Sequence, residues 1–216
     1  MLLLFDLDNT LLDRNRAFEL YIGSLLKEGQ SLNSLTDFFT TLFALDDAGQ
    51  GSRKTVCSYI ISRLELTMTV AELQEDMYRI ADFVEPDPQV HECLNLLGRR
   101  HQLGLITNGS SLRQRQKIQR AQLGSFFEHI VISEEAGYEK PDQRIFHHCL
   151  ALFGYPDPSN LPKHAVMIGH DWQRDVLGAR NAGLQAHWIN SDWPQSTRRG
   201  NLVLPHLKAL LAMESA

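Results

Sequence analysis

The chain reads Leu2-Leu3-Leu4-Phe5-Asp6-Leu7-Asp8-Asn9-Thr10 near its start, so that an apolar run ends in two aspartates two positions apart. The run predicts a short buried strand, and the polar residues after it are typical of a turn. Two carboxylates this close repel each other unless a cation, a shared proton or solvent relieves them. A magnesium site would do so, since Mg²⁺ favours carboxylates and carbonyls. A turn at the strand end explains the same residues, and the pair alone does not separate the two interpretations.

Further apolar runs along the chain also predict buried strands. Helical patterns separate most of these runs. The helix after Thr107 is expected to start at Ser110 or Ser111, whose hydroxyl can cap it, and to run to about Leu123. Another helix is predicted from about Gln173 to Ala182. This alternation predicts an α/β fold, a Rossmann-like doubly wound parallel sheet covered on both faces, with ligands bound at the carboxyl ends of its strands. The further predicted strands are Leu103 to Thr107, Ile130 to Ser133, Ala165 to Gly169 and Gln185 to Ile189.

Residues 15–83 interrupt this alternation with helical patterns alone. They predict a small α-helical bundle that leaves the sheet just after the first strand and returns before the second, so we expect it to cap the site. The predicted domains are therefore a core of residues 1–14 and 84–216 and a helical cap of residues 15–83. The predicted cap helices are Ala17 to Lys27, Leu35 to Leu45, Lys54 to Leu64 and Val70 to Phe83.

Composition narrows the possible partners. A formal charge of −5, from 21 basic and 26 acidic side chains, gives no net attraction to nucleic acid or to anionic membranes. The basic run Arg113 to Arg120 is interpreted as the solvated face of a helix. No apolar stretch approaches the ~20 residues that span a bilayer, and a soluble, cytoplasmic protein is expected.

Cys57, Cys93 and Cys149 are few and far apart, as expected of reduced, buried thiols. The sequence leaves open whether the protein is a monomer or a dimer.

Three later segments carry residues suited to phosphate chemistry at or just beyond strand ends. Thr107-Asn108-Gly109 offers a hydroxyl and backbone amides at a helix start, where an anion is favoured. Lys140-Pro141-Asp142 offers an ammonium group. Gly169 to Asp175 carries two more carboxylates, Asp171 and Asp175. Each segment also has a plainer interpretation: a cap and turn, a solvated lysine, and acids favoured at the first turn of a helix.

Taken in order, the four segments resemble the haloacid dehalogenase superfamily. Its signatures are Asp-x-Asp-x-Thr, a Thr or Ser after the second strand, a Lys, and a late acidic pair. The helical insertion resembles the first cap type of that family, and Gly178-Ala179-Arg180-Asn181-Ala182-Gly183 is a familiar continuation of the last signature. The resemblance covers essentially the whole chain.

The resemblance implies a phosphatase that acts on small-molecule phosphate monoesters, such as nucleoside monophosphates, sugar phosphates or phosphoglycolate. Asp6 would attack the phosphorus and form an aspartyl phosphate. Asp8 would protonate the leaving group and then deprotonate the hydrolytic water. Side chains or backbone amides that would contact the phosphoryl oxygens belong to Leu7, Thr107, Asn108 and Lys140.

The same resemblance implies a magnesium ion held by the Asp6 carboxylate, the Asp8 carbonyl and an acid of the last segment. This chain departs from the usual Gly-Asp-Ser there, because His170 stands where a gapless alignment puts the acid. A shorter acid spacing makes Asp171 the direct ligand and Asp175 a direct or water-mediated one, with His170 outside the ligand set. The affinity for Mg²⁺, or the preferred ion, would then be altered.

Other functions remain open at this stage. A phosphomutase shares the nucleophile and the acid, and a binding or regulatory module could have kept the fold without turnover. Dehalogenation is disfavoured because a halide leaves without the proton that Asp8 supplies. Phosphonate cleavage requires a cap lysine, for which Lys27 and Lys54 are the main candidates.

Overall fold

The apolar runs form one sheet of five parallel strands in the computed structural model, which describes residues 1–26, 36–49, 51–162 and 164–189. The strand order is β3-β2-β1-β4-β5, where the labels follow the chain. The predicted α/β fold with a doubly wound parallel sheet is therefore confirmed. The strands are β1 (Leu2–Phe5), β2 (Gln102–Thr107), β3 (His129–Ile132), β4 (Ala165–Gly169) and β5 (Gln185–Trp188).

The central strand explains why the sheet brings distant segments together. All four residues of β1 are buried, as expected for a parallel strand covered on both faces. In the register of the sheet, Phe5 pairs with Leu105 of β2 and with Ile168 of β4. The carboxyl ends of these three strands therefore meet at one edge of the sheet.

The described residues from Arg14 to Val84 form a compact helical unit of their own. Its buried aromatic side chains include Phe18, Tyr21 and Phe38. The last predicted helix differs from the prediction, because it is α-helical only to Asp76 and continues as a 3₁₀ segment, Met77–Phe83. A role as a cap stays a prediction. The helices are α1 (Arg14–Leu25), α2 (Thr36–Asp46), α3 (Arg53–Leu64) and α4 (Val70–Asp76), with a 3₁₀ turn at Asp47–Gly49.

A buried ion pair lies inside the helical unit. Arg14 donates from Nη1 and Nη2 to the two carboxylate oxygens of Asp46, at 2.6 and 3.1 Å. The backbone amide of Gly49 donates to the same carboxylate at 2.9 Å. Asp46 therefore holds the end of α2 to α1. Lys27, proposed above for phosphonate cleavage, lies outside the described residues.

The other described residues, Met1–Asp13 and those from Glu85 onward, form a second unit that contains the sheet. Its helices include the one after β2, which begins at Ser111 as predicted. The predicted hydroxyl cap is wrong: Ser110 makes no side-chain cap bond, and the Ser111 amide donates instead to Glu134 Oε2 at 2.8 Å. A carboxylate is the stronger acceptor there. The helices are α5 (Pro88–Gly98), α6 (Ser111–Arg120), α7 (Ser133–Ala136), α8 (Gln143–Leu152) and α9 (Gly178–Asn181).

The predicted helix from Gln173 to Ala182 has an irregular start. Residues Trp172–Leu177 form a π-helix that runs into α9. The carbonyl of Asp171 accepts the amides of both Asp175 and Val176, at 2.9 and 3.2 Å, which widens the turn. This turn carries an acidic residue of the last signature.

Two expectations from composition can be compared with the structure. No helix in the described part of the chain is long and apolar enough to cross a membrane. Cys57, Cys93 and Cys149 are buried and form no disulfide.

Candidate active site

The centre of the site is a buried lysine between two aspartates. Lys140 Nζ donates to Asp6 Oδ1 at 2.8 Å, to Asp175 Oδ1 at 2.7 Å and to the carbonyl of Ile106 at 2.9 Å. The exposed fractions are 2% for Lys140, 6% for Asp6 and 1% for Asp175. An ammonium group has three N–H donors, and each has an acceptor here. This buried lysine is not the solvated surface residue of the plainer interpretation.

Three elements deliver these charges to one edge of the sheet. Asp6 directly follows β1, Asp175 lies in the π-helix after β4, and Lys140 precedes α8. Gly169 makes room for Asp175, because a Cβ at this position would overlap the Asp175 carboxyl group. The position of the Asp175 carboxyl group therefore requires a residue without a side chain at the end of β4.

The charges shift each other's pKa values. Burial by itself would raise the pKa of Asp6, but the Lys140 ammonium and the His170 ring outweigh it and hold that pKa well below its usual range. Burial raises the pKa of Asp175, and the Asp6 carboxylate adds to this effect. Burial alone would lower the pKa of Lys140, yet the two carboxylates raise it. Asp6 is therefore an anion, as an attacking carboxylate must be.

The structure places the residues of the last signature differently from the expected ligand set, which stays a prediction. His170, expected outside the ligand set, lies with Nδ1 at 3.1 Å from Asp6 Oδ2. Asp171, expected as the direct metal ligand, instead caps the π-helix by accepting the Arg174 amide at 2.8 Å. Its own amide donates to Asp175 Oδ2 at 2.9 Å. The turn after β4 directs residue 170 toward Asp6 and uses residue 171 to start the helix.

The described residues contain one group suited to a divalent cation. One ligand atom each from Asp6, His170 and Asp175 lies within 4.8 Å of the other two. Two carboxylates fit a divalent cation of the magnesium type. The imidazole nitrogen fits less well, because Mg²⁺ prefers oxygen and nitrogen suits later transition metals.

The loop after β1 turns the chain sharply. The carbonyl of Leu7 accepts the amides of Leu11 and Leu12 at 2.9 and 3.2 Å, and the Leu7 side chain is buried. Thr10 Oγ1 donates to Asp6 Oδ2 at 2.9 Å. This threonine of the first signature orients the proposed nucleophile.

The Thr107-Asn108-Gly109 segment is tied to the lysine segment. The Asn108 amide group donates to the Lys140 carbonyl and accepts from the Lys140 amide, both at 2.9 Å. Asn108 therefore orients the backbone of Lys140 with its side chain, which leaves its backbone amide as the group proposed for phosphate. Thr107 is buried and accepts a hydrogen bond from Gln114 Nε2.

Two site residues were missed by the sequence analysis. Lys117 Nζ donates to both carboxylate oxygens of Asp8, at 2.8 and 2.7 Å, and Gln114 Nε2 donates to Asp8 Oδ2 at 3.1 Å. Both come from α6, which had been interpreted as a solvated basic face. Gln114 lies three residues before Lys117 and four before the buried Ile118, so it is a neighbour of both on the helix surface, and this spacing was the available signal.

A family model matches most of the chain. Residues 3–189 match the family model of the haloacid dehalogenase-like hydrolases. A match over most of the chain shows the family, and the chain belongs to it.

Two related proteins and one solved structure are similar to this chain. Pyrimidine 5'-nucleotidase YjjG of Escherichia coli is 37% identical over 112 residues, which are 52% of this chain and 48% of that protein. The chain thus aligns with about half the length of this relative. Glyceraldehyde 3-phosphate phosphatase of Pyrococcus furiosus is 27% identical over 86% of this chain and 78% of that protein. The structure of the HAD-hydrolase YfnB from Bacillus subtilis, bound to magnesium, has a TM-score of 0.67 at 24% identity and covers 98% of each chain.

Replacing Lys140 by methionine tests the central charge cluster. Without the ammonium, two buried carboxylates lose their shared cation, so we expect the free energy of unfolding near neutral pH to fall by about 3–5 kcal/mol. In the variant the carboxyl pKa values rise above the unfolded value of about 4, so the deficit should shrink as the pH falls toward about 5. Urea unfolding at both pH values measures this.

The exposed Arg144 provides a matched control nearby. Arg144→Met should stay close to the wild type at both pH values, because Arg144 is solvated. A Lys140→Met variant as stable as the wild type near neutral pH would contradict the cluster.

Proposed function

We propose that this chain is a phosphatase that hydrolyses phosphate monoesters of small molecules through an aspartyl phosphate on Asp6. The observation that carries the proposal is the buried contact of Lys140 with Asp6 and Asp175, which keeps the Asp6 carboxylate anionic although it is shielded from solvent. Family membership supports the reaction class. The relatives support the substrate class, since they are a pyrimidine 5'-nucleotidase and a glyceraldehyde 3-phosphate phosphatase.

The reaction runs in two displacements. For the first displacement Asp8 must carry a proton, which one of its oxygens binds in place of a hydrogen bond from Lys117. An Asp6 oxygen forms a bond to phosphorus while the ester P–O bond breaks, and Asp8 gives this proton to the departing alkoxide. Asp8, now a carboxylate, takes a proton from water as that water attacks the same phosphorus. The Asp6–phosphorus bond breaks, inorganic phosphate leaves, and both aspartates return to their starting states.

Four groups compensate the charge of the phosphoryl oxygens. Lys140 supplies a positive charge, Thr107 a hydroxyl, and Leu7 and Asn108 backbone amides. Preorganised donors of this kind stabilise the transition state, because they need no reorganisation when charge develops. The Asn108 side chain, bonded twice to the Lys140 backbone, supports this preorganisation.

A divalent cation completes the proposed site, with Asp6 and Asp175 as carboxylate ligands and the Asp8 carbonyl as a further oxygen. The family resemblance implies Mg²⁺. When bound, the cation reduces the repulsion between the anionic nucleophile and the anionic ester. His170 is the nitrogen donor next to these oxygens.

A phosphate-release assay tests the proposed function. We expect the wild type to release phosphate from p-nitrophenyl phosphate and from members of a panel of nucleoside monophosphates and triose phosphates, and to stop when a chelator is added. Asp6→Asn should lower kcat by at least about 10³-fold, because an amide is a poor nucleophile.

The control for this assay is Asp157→Asn, an exposed aspartate of the same unit, which should leave kcat unchanged. Failure of a folded wild-type preparation to release phosphate from any ester would refute the function. Full activity of Asp6→Asn would refute the nucleophile.

The imidazole at the cation site predicts an altered ion preference. His170→Asp restores an all-oxygen set, so we expect the ratio of Co²⁺ to Mg²⁺ affinity to fall by at least about tenfold. Calorimetric titration of both ions gives the ratio, and the visible absorption of bound Co²⁺ should change with loss of the nitrogen.

A histidine elsewhere controls for the added charge. His148→Asp, at an exposed position of α8, should keep the wild-type ratio and spectrum. Equal ratios in the wild type and in His170→Asp would show that His170 does not bind the ion.

A further inference from the structure

The carboxylate of Asp8 is held by two side chains of α6. Lys117 Nζ lies 2.8 and 2.7 Å from its two oxygens, and Gln114 Nε2 lies 3.1 Å from Oδ2. The side chains of Lys117 and Asp8 are only 12% and 19% exposed. Because the pair is shielded from solvent, it is less screened than a surface ion pair.

Gln114 joins this contact to the segment after β2. Its Nε2 also lies within hydrogen-bond distance of Thr107 Oγ1 and, at 3.0 Å, of the carbonyl of Asn108, so its two N–H groups are shared among three acceptors; the residue is 2% exposed. One buried amide group thus links Asp8 after β1 with Thr107 at the end of β2. Both are residues to which the proposed reaction gives a role.

Gly109 provides the space for this link. It has a φ of +138°, and a Cβ there would lie 3.2 Å from two carbon atoms of the Gln114 side chain. Any other residue would be strained at that φ and would press on Gln114. The backbone of the Thr107-Asn108-Gly109 segment is therefore fitted to a buried glutamine.

Fold stability is a weak explanation for the ion pair. A shielded ion pair contributes little net stability, because desolvation offsets the attraction of its charges. Such a pair does fix geometry, since an ammonium bonded to both oxygens restricts rotation of the carboxyl group. General acid catalysis depends on that restriction, because the proton must be within hydrogen-bond reach of the leaving oxygen.

We propose that Lys117 and Gln114 are positioning residues that orient the carboxyl group of Asp8 for proton transfer to the leaving group. This inference rests on the proposed phosphatase function and adds two residues to it. Lys117 acts through Asp8 and does not contact the ester. Gln114 holds Asp8 and Thr107 at a fixed separation. The proton donor and the hydroxyl that contacts the phosphoryl oxygens therefore keep the same relative position.

The test uses the dependence of the rate on the leaving group. An alkoxide needs a proton as it departs, whereas p-nitrophenolate leaves without one. We expect Lys117→Met to lower kcat/KM at least about 10²-fold for an alkyl phosphate that the enzyme accepts, and far less for p-nitrophenyl phosphate. The parameter kcat/KM is used because it reports the steps up to formation of the aspartyl phosphate.

Three further variants separate positioning from a structural role. In an Asp8→Asn background, Lys117→Met should change kcat/KM by less than about twofold, because the residue through which it acts is gone. Lys117→Arg, which keeps a donor for both oxygens, should recover part of the loss. Arg120→Met, an exposed basic residue of the same helix, should match the wild type with both esters.

The outcomes are distinct. Equal losses with both esters, or a further large loss in the Asp8→Asn background, would mean that Lys117 supports the fold and would overturn the inference. No loss with the alkyl ester would overturn it as well. A wild type that releases no phosphate from either ester would reject the phosphatase function, and with it this role of Lys117.

Discussion

The Lys140 ammonium between Asp6 and Asp175 is the interaction on which the site depends. Burying three charges is costly, and the cost is offset only when the geometry is good and every donor is used, as it is here. With both carboxylates ionised, one negative charge remains in the cluster. That charge explains why a cation is expected beside it, and why His170 lies within reach of Asp6.

The strand order makes this contact possible. Lys140 and Asp6 are 134 positions apart, but Lys140 comes after β3 and Asp6 after β1, and only β2 separates these two parallel strands in the sheet, so the segments that follow them leave the same edge. Short local features then set the side-chain directions: Gly169 admits the Asp175 carboxyl group, and Gly109 admits Gln114. The parallel sheet therefore brings the site residues together, and the two glycines leave room for the side chains of Asp175 and Gln114.

The sequence predicts the sheet well because each buried strand is a local apolar run, and it orders the four signatures because each ends or follows such a run. It does not show which of His170 and Asp171 faces Asp6, because a shift of one residue changes the side chain that does so, and the π-helix after β4 sets this direction only in the folded chain. Lys117 and Gln114 were missed for a different reason. Polar and charged residues of a helix are mostly solvated, and the contacts that shield these two residues are tertiary: both contact Asp8, and Gln114 also contacts Thr107 and Asn108.

The central claim is that Asp6 becomes phosphorylated, and trapping the intermediate tests it most directly. The enzyme is mixed with p-nitrophenyl phosphate and a divalent cation, quenched in acid within one turnover, digested and examined by mass spectrometry. We expect one phosphoryl group on the peptide that contains Asp6, with the modification at Asp6 itself and absent in Asp6→Asn. A phosphoryl group on any other residue, or turnover with no phosphorylated peptide at any quench time, would contradict the claim.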